Sequence, residues 1–174
     1  MHGKSLVFLV GFMGSGKSTA GKKLAASLGW SFIDLDRKIE EKAGKTIPEI
    51  FSSEGEAAFR KLETEILRTF KSCTRTIIST GGGTPCHGDN MDFMLETGVT
   101  VYLRLSPDQL VERLMGSTEE RPLLKNIPDS GLRGFIETRL ADRESYYNRA
   151  NVIVDGINLD IGNLQYVLRL GSGA

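Results

Sequence analysis

Hydrophobic positions along the chain follow two rhythms. Short runs rich in Val, Ile and Phe recur at residues 5–10, 31–33, 76–79, 99–103 and 152–154. Continuous apolar runs of this length suit strands buried on both faces. Between them, apolar residues fall three and four apart. Ala20, Leu24 and Leu28 mark a helix over 17–28, with Gly29 as its stop. Ser53-Glu54-Gly55-Glu56 reads as a capping box opening a second helix through Phe59, Leu62, Ile66 and Phe70. A third spans about 131–149, with Leu132, Ile136, Leu140 and Tyr147 on one face. Strands alternating with helices predict an α/β fold, a mainly parallel sheet with helices on both faces. The stretch from Gly116 to Pro122 is polar and poor in apolar residues and is bounded by Pro128, so it reads as a mobile surface segment.

Composition narrows the function classes. The chain has 174 residues, 40% hydrophobic and 25% charged, which suits one globular domain over 1–174. Lys+Arg and Asp+Glu both number 22, so bulk charge gives no grip on nucleic acid. No apolar run reaches ~18 residues, so no membrane span is expected. Cys73 and Cys86, with His2 and His87, lack metal-ligand spacing. The apolar run 6–10 lacks a cleavage site and leads straight into a glycine-rich loop, so it is not read as a signal peptide. The expectation is a cytoplasmic monomer, no long exposed apolar seam being evident.

The strongest chemical signal is Gly11-Phe12-Met13-Gly14-Ser15-Gly16-Lys17-Ser18, which fits G-x-x-x-x-G-K-[ST] at every fixed position. An apolar strand precedes it and a periodic helix follows. Its glycines let backbone N–H groups turn inward around an anion, and the helix N-terminus adds partial positive charge. Lys17 suits the β- and γ-phosphates, and the Ser18 hydroxyl suits Mg²⁺. The motif predicts a nucleoside triphosphate site and leaves the acceptor open.

Candidates for the acceptor site follow the next strands. In Asp34-Leu35-Asp36 an extended backbone points both carboxylates to one side. One suits Mg²⁺ through water and the other the proton of an attacking hydroxyl. Alternatively, Asp36 caps a helix over 37–43 and Asp34 is loop polarity. Thr80-Gly81-Gly82-Gly83-Thr84 lets backbone approach a ligand closely, or is a flexible turn. Arg60 sits at the edge of an apolar stripe, where a solvated flank is the plain reading. Arg143 lies three past Leu140 and four before Tyr147, at the centre of an apolar face. A guanidinium there needs an anion, either a protein carboxylate or a ligand's. Arg121 lies in the polar segment, where a lid arginine over a triphosphate is one reading and a lone surface charge another. His87 is read as a solvated loop histidine.

Taken together, Gly11–Thr19, Asp34-Leu35-Asp36, Glu54-Gly55-Glu56…Phe59-Arg60, Thr80-Gly81-Gly82-Gly83, Arg121-Pro122-Leu123-Leu124 and Arg143…Tyr147 resemble the shikimate kinases in order and spacing, over about 6–168. The resemblance implies a P-loop NTPase fold: a three-layer α/β/α arrangement with a five-stranded parallel sheet, a helical substrate-binding region at about 34–62 and a lid at about 116–128. It implies transfer of the ATP γ-phosphoryl group to the 3-hydroxyl of shikimate, on the route to chorismate and the aromatic amino acids. It assigns Gly14, Ser15, Gly16, Lys17, Ser18, Thr19 and Arg121 to ATP. Asp36, Arg60, Gly82 and Arg143 would take shikimate, and Ser18 with Asp34 through water would take Mg²⁺. Lys17, Asp36 and Arg121 carry the implied catalysis. Other acceptors remain open on the residues alone: a gluconate or nucleoside-monophosphate kinase, or a non-enzymatic ATP-binding module.

Overall fold

A computed structural model describes residues 5–116 and 127–172. Five parallel strands form one sheet in the order β2-β3-β1-β4-β5. They are β1 (Leu6–Val10), β2 (Ser31–Asp34), β3 (Thr76–Ser79), β4 (Val99–Arg104) and β5 (Val152–Asp155). The helices are α1 (Lys17–Leu28), α2 (Leu35–Ala43), α3 (Ile47–Thr69), α4 (Asn90–Thr97), α5 (Pro107–Met115), α6 (Asp129–Tyr147) and α7 (Ile161–Ser172). The expected strands therefore stand within a residue of their predicted bounds, and the sheet is parallel throughout.

Alternation along β1 divides the core in two. Leu6, Phe8 and Val10 face one way, where Ile78, Tyr102 and the buried residues of α2 to α6 meet them. Val7 and Leu9 face the other, packed with Ile77, Val101 and Leu103 under α1 and α7. The central strand is thus buried on both sides, which is why β1 reads as a continuous apolar run. It pairs with β3 on one edge and β4 on the other. After β1 the connections run first to the β3 side and then to the β4 side. Ligands of open α/β sheets bind at such a switch point, beyond the carboxyl ends of the strands.

One helix start differs from the sequence reading, and another answers a question it left open. The capping box that opens α3 is Thr46 with Glu49, not Ser53 with Glu56. Thr46 Oγ1 accepts from the Glu49 N–H, and Glu49 accepts from the Thr46 N–H. Ser53 instead donates its hydroxyl back to the Glu49 carbonyl. The segment starting at Ser53 contains a real break all the same. Gly55 has φ 84° and ψ 170°, so α3 kinks there and its second half carries Phe59 and Arg60. At α2 the cap is Asp34 rather than Asp36. Part of the expected lid, residues 117–126, lies outside the described residues.

Leu24 anchors α1, and hence the loop before it, against the sheet with no exposed surface. Leu24→Ala is expected to lower the unfolding free energy by about 2–5 kcal/mol, measured by urea denaturation.

Candidate active site

The loop 11–16 carries the chain from β1 into α1. Gly16 caps the helix with φ 90°. A Cβ at that position would stand 2.7 Å from Arg113 Nη1, so both backbone angle and space call for glycine. The first turn of α1 holds no acidic residue, which leaves its positive end available to an anion. Lys17 folds back across the loop, donating to the carbonyls of Gly11 and Phe12 at 2.9 Å each. The Ser15 hydroxyl is buried in this cradle and has no partner among the described residues. Thr19 lies on the exposed side of α1. Gly14 is closed in by Leu114, which would stand 2.9 Å from a Cβ there.

Asp34 ends β2 and spends its two oxygens separately. Oδ1 accepts the N–H groups of Asp36 and Arg37 at 3.1 and 3.4 Å, capping α2. Oδ2 accepts the Ser18 hydroxyl at 2.7 Å. Ser79 Oγ, at the end of β3, lies 3.1 Å from Ser18 Oγ. The cap frees Asp36 to turn toward the glycine loop. Burial first, then the neighbouring Asp34 and Glu63 charges, push its pKa up to about 6, and Lys17 opposes them.

Gly81, Gly82 and Gly83 follow β3 and form the crossing point of the site. Thr80 fixes the start of the loop, donating both its hydroxyl and its N–H to the Leu9 carbonyl on β1. Each glycine then meets a different neighbour. A Cβ at Gly81 would stand 3.0 Å from Asp36 Oδ1. One at Gly82 would stand 3.2 Å from the Met13 amide nitrogen and 3.4 Å from Arg143 Nη1. One at Gly83 would stand 2.6 Å from Arg60 Nη2. Phosphate loop, carboxylate and both arginines therefore converge on bare backbone.

Arg60 is not a solvated flank. Its side chain is 16% exposed, lies over the Phe59 ring and pairs with Glu63 at 2.9 Å. Glu63 itself is fully buried and also accepts the Thr84 hydroxyl at 2.5 Å. Sequence reasoning passed over Glu63, although it lies four residues past Phe59 on the buried stripe. Arg143 makes no ion pair among the described residues. It rests over the Phe12 ring, 5.5 Å from its centroid, where the cation meets the π-face. A second residue passed over is Arg113, which donates to the Ser15 carbonyl at 3.1 Å and the Gly156 carbonyl at 3.0 Å. It ties the phosphate loop to the segment after β5. His87 lies beside this cluster, and burial, with Arg60 next, lowers its pKa. Arg121 lies outside the described residues.

A carboxylate with a raised pKa costs stability where it is ionised in the folded chain. Asp36 is protonated in both states below about pH 4, and the cost grows as pH rises toward its folded value of about 6. Asp36→Asn is therefore expected to raise unfolding free energy by about 1–3 kcal/mol at pH 7.5 in ligand-free protein. The gain should shrink to nothing near pH 4. Denaturation series at both pH values check this.

Comparison with known proteins places this geometry in a family. The family model for shikimate kinase matches residues 13–162. A shikimate kinase of Parabacteroides distasonis is 46% identical over 149 residues, 86% of each chain. One of Chlorobaculum parvum is 44% identical over 168 residues, covering 94% of this chain and 89% of its own. The crystal structure of shikimate kinase from Bacteroides thetaiotaomicron superposes with a TM-score of 0.89 at 42% identity, covering 94% of this chain and 97% of its own. The enzyme from Acinetobacter baumannii, solved in complex with shikimate, gives 0.84 at 33% identity, covering 96% and 92%. A gluconokinase from Sinorhizobium meliloti shares the fold alone, at 16% identity and a TM-score of 0.56. Matched by the family model over most of its length, and by relatives and solved structures over more than four fifths of it, the chain belongs to the shikimate kinase family.

Proposed function

We propose that this chain is an ATP-dependent kinase that phosphorylates the 3-hydroxyl of shikimate, giving shikimate 3-phosphate and ADP. The convergence of Asp36, Arg60, Arg143 and the phosphate loop on Gly81–Gly83 carries this reading. Shikimate is a small ring acid with one carboxylate and several hydroxyls. Arg143, with no ion pair among the described residues, suits that carboxylate, since guanidinium grips carboxylates bidentately. Arg60, partly neutralised by Glu63, adds a second positive edge. An uncharged sugar acceptor would leave Arg143 without an anion.

The reaction asks the protein chiefly for positioning and charge. The acceptor oxygen bonds to the γ-phosphorus as the bond from that phosphorus to the ADP oxygen breaks. Asp36 orients the attacking hydroxyl and receives its proton. Lys17 and the loop N–H groups stabilise charge on the transferring oxygens. Arg121 is assigned to the same charge by its motif alone.

The residues at the foot of the loop fit a divalent cation. Ser18, Asp34 and Ser79 offer hard oxygen, which suits Mg²⁺. Among the described residues no group of three or more His, Cys, Asp or Glu gathers to hold a metal. Such a sparse protein set suits an ion that keeps its waters and shares its shell with phosphates. Ser18 would hold it directly and Asp34 through water, and when bound it neutralises phosphate charge. A single kinase domain, acting as a monomer in the cytoplasm, completes the proposal. No helix among the described residues is long and apolar enough to cross a membrane.

ADP release measured with ATP and Mg²⁺ tests the acceptor, with gluconate and nucleoside monophosphates as controls. Release should depend on shikimate and on neither control. Asp36→Asn is expected to lower kcat at least about a hundredfold while ATP still binds. Arg143→Ala is expected to raise KM for shikimate at least about tenfold and to change KM for ATP far less. Turnover with a control in place of shikimate would overturn the assignment.

A further inference from the structure

The hydroxyl of Tyr147 has two neighbours and no exposure to solvent. It donates to the carbonyl of Gly82 at 2.5 Å. It also meets the guanidinium of Arg143, one helical turn earlier on α6. A phenol offers one donor and accepts on its oxygen, so with the proton given to the glycine carbonyl the oxygen lone pairs remain for the neighbouring guanidinium. The ring is held as firmly as the head group. It packs against Tyr102 of β4 with centroids 5.1 Å apart. Burial against these neighbours drives the phenol pKa upward, so the group stays a protonated donor at any working pH.

We propose that Tyr147 is a positioning residue whose hydroxyl fixes Arg143 and the Gly82 peptide relative to each other, setting the geometry of the shikimate carboxylate site. This rests on the acceptor reading above and adds a group that touches neither substrate. The guanidinium has five N–H donors in a rigid plane. Its face rests over Phe12 of the phosphate loop, and Nη1 lies beside Gly82, whose carbonyl Tyr147 holds. The remaining donors are thereby aimed before any ligand arrives. Loss of the hydroxyl leaves the ring packing intact and releases both partners. Arg143 then gains rotamer freedom that ligand binding must remove, and Gly82 gains freedom to rock its peptide plane.

Tyr147→Phe tests this with two readouts. KM for shikimate should rise about tenfold, the scale of one charge-assisted hydrogen bond. KM for ATP should stay within about twofold. Amide exchange at Gly82 and Gly83 in ligand-free protein should quicken at least about tenfold, with exchange in β1 and β4 unchanged. p-Aminophenylalanine at position 147 keeps ring and donor but loses the acceptor, so it should restore slow exchange at Gly82 and Gly83 while KM for shikimate stays raised. Equal rises in both KM values, or unchanged exchange with unchanged KM, would overturn the proposal. So would a Phe variant that loses its fold by circular dichroism, since the hydroxyl would then be structural. If the unaltered enzyme releases no ADP with shikimate, the acceptor reading fails by itself, and the exchange comparison still decides the tether.

Discussion

Everything in the site depends on how closely the backbone after β3 approaches its neighbours. A side chain at Gly82 would press on the Met13 amide, and one at Gly83 would overlap Arg60. Without side chains, the loop lets groups from three separate segments share one small volume: the phosphate loop after β1, the carboxylate after β2 and the arginines of α3 and α6. The parallel sheet makes this possible. It ends β1, β2 and β3 at one edge, so the turns that follow them are neighbours despite wide separation along the chain. Thr80 registers the glycine loop against β1 by two hydrogen bonds to one carbonyl.

Charge inside the site is arranged unequally, and the inequality is what makes it useful. Burying an ion pair is costly unless its remaining valences are met. Glu63 meets that condition, taking Arg60 on one oxygen and Thr84 on the other. Asp34 likewise divides its oxygens between a helix cap and Ser18. Asp36 has no such satisfaction, being crowded by both of those carboxylates and shielded from water. Arg143 has an aromatic face and a phenol but no anion among the described residues. The two groups left least compensated are those the proposed chemistry uses, one for a hydroxyl proton and one for a carboxylate. Functional sites are where such local discord is tolerated.

The sequence made the sheet and the phosphate loop legible because both depend on local pattern. A doubly buried strand is a run of β-branched residues, and an anion cradle is glycines at fixed spacing. The groups that stayed hidden depend on long-range contact. Glu63 looks like any helical glutamate until Thr84 comes within 2.5 Å of it. Arg113 sits on α5, an element the pattern did not announce, and its partners are backbone carbonyls that carry no signature. The start of α3 was misplaced for a local reason. Thr46 and Ser53 both head S/T-x-x-E strings, and only the first has a proline following to favour a helix start. Which aspartate caps α2 could not be read, since spacing alone makes either a cap. Arg143 was the opposite case, visible because a charge at the centre of an apolar stripe demands a partner.

Helices α5 and α6 join the phosphate-loop end of the site to the proposed acid-binding end. They pack against each other within one core. From α5, Leu114 closes over Gly14 and Arg113 clasps Ser15, so this helix holds the phosphate loop. From α6, Arg143 and Tyr147 hold the glycine loop and the proposed carboxylate site. A shift of either helix therefore bears on both ligands. Phe12 strengthens the connection, since it belongs to the phosphate loop and supports the Arg143 guanidinium. Coupling between two sites requires an element with differential contacts to both. This helix pair touches both loops, α5 the phosphate loop and α6 the glycine loop.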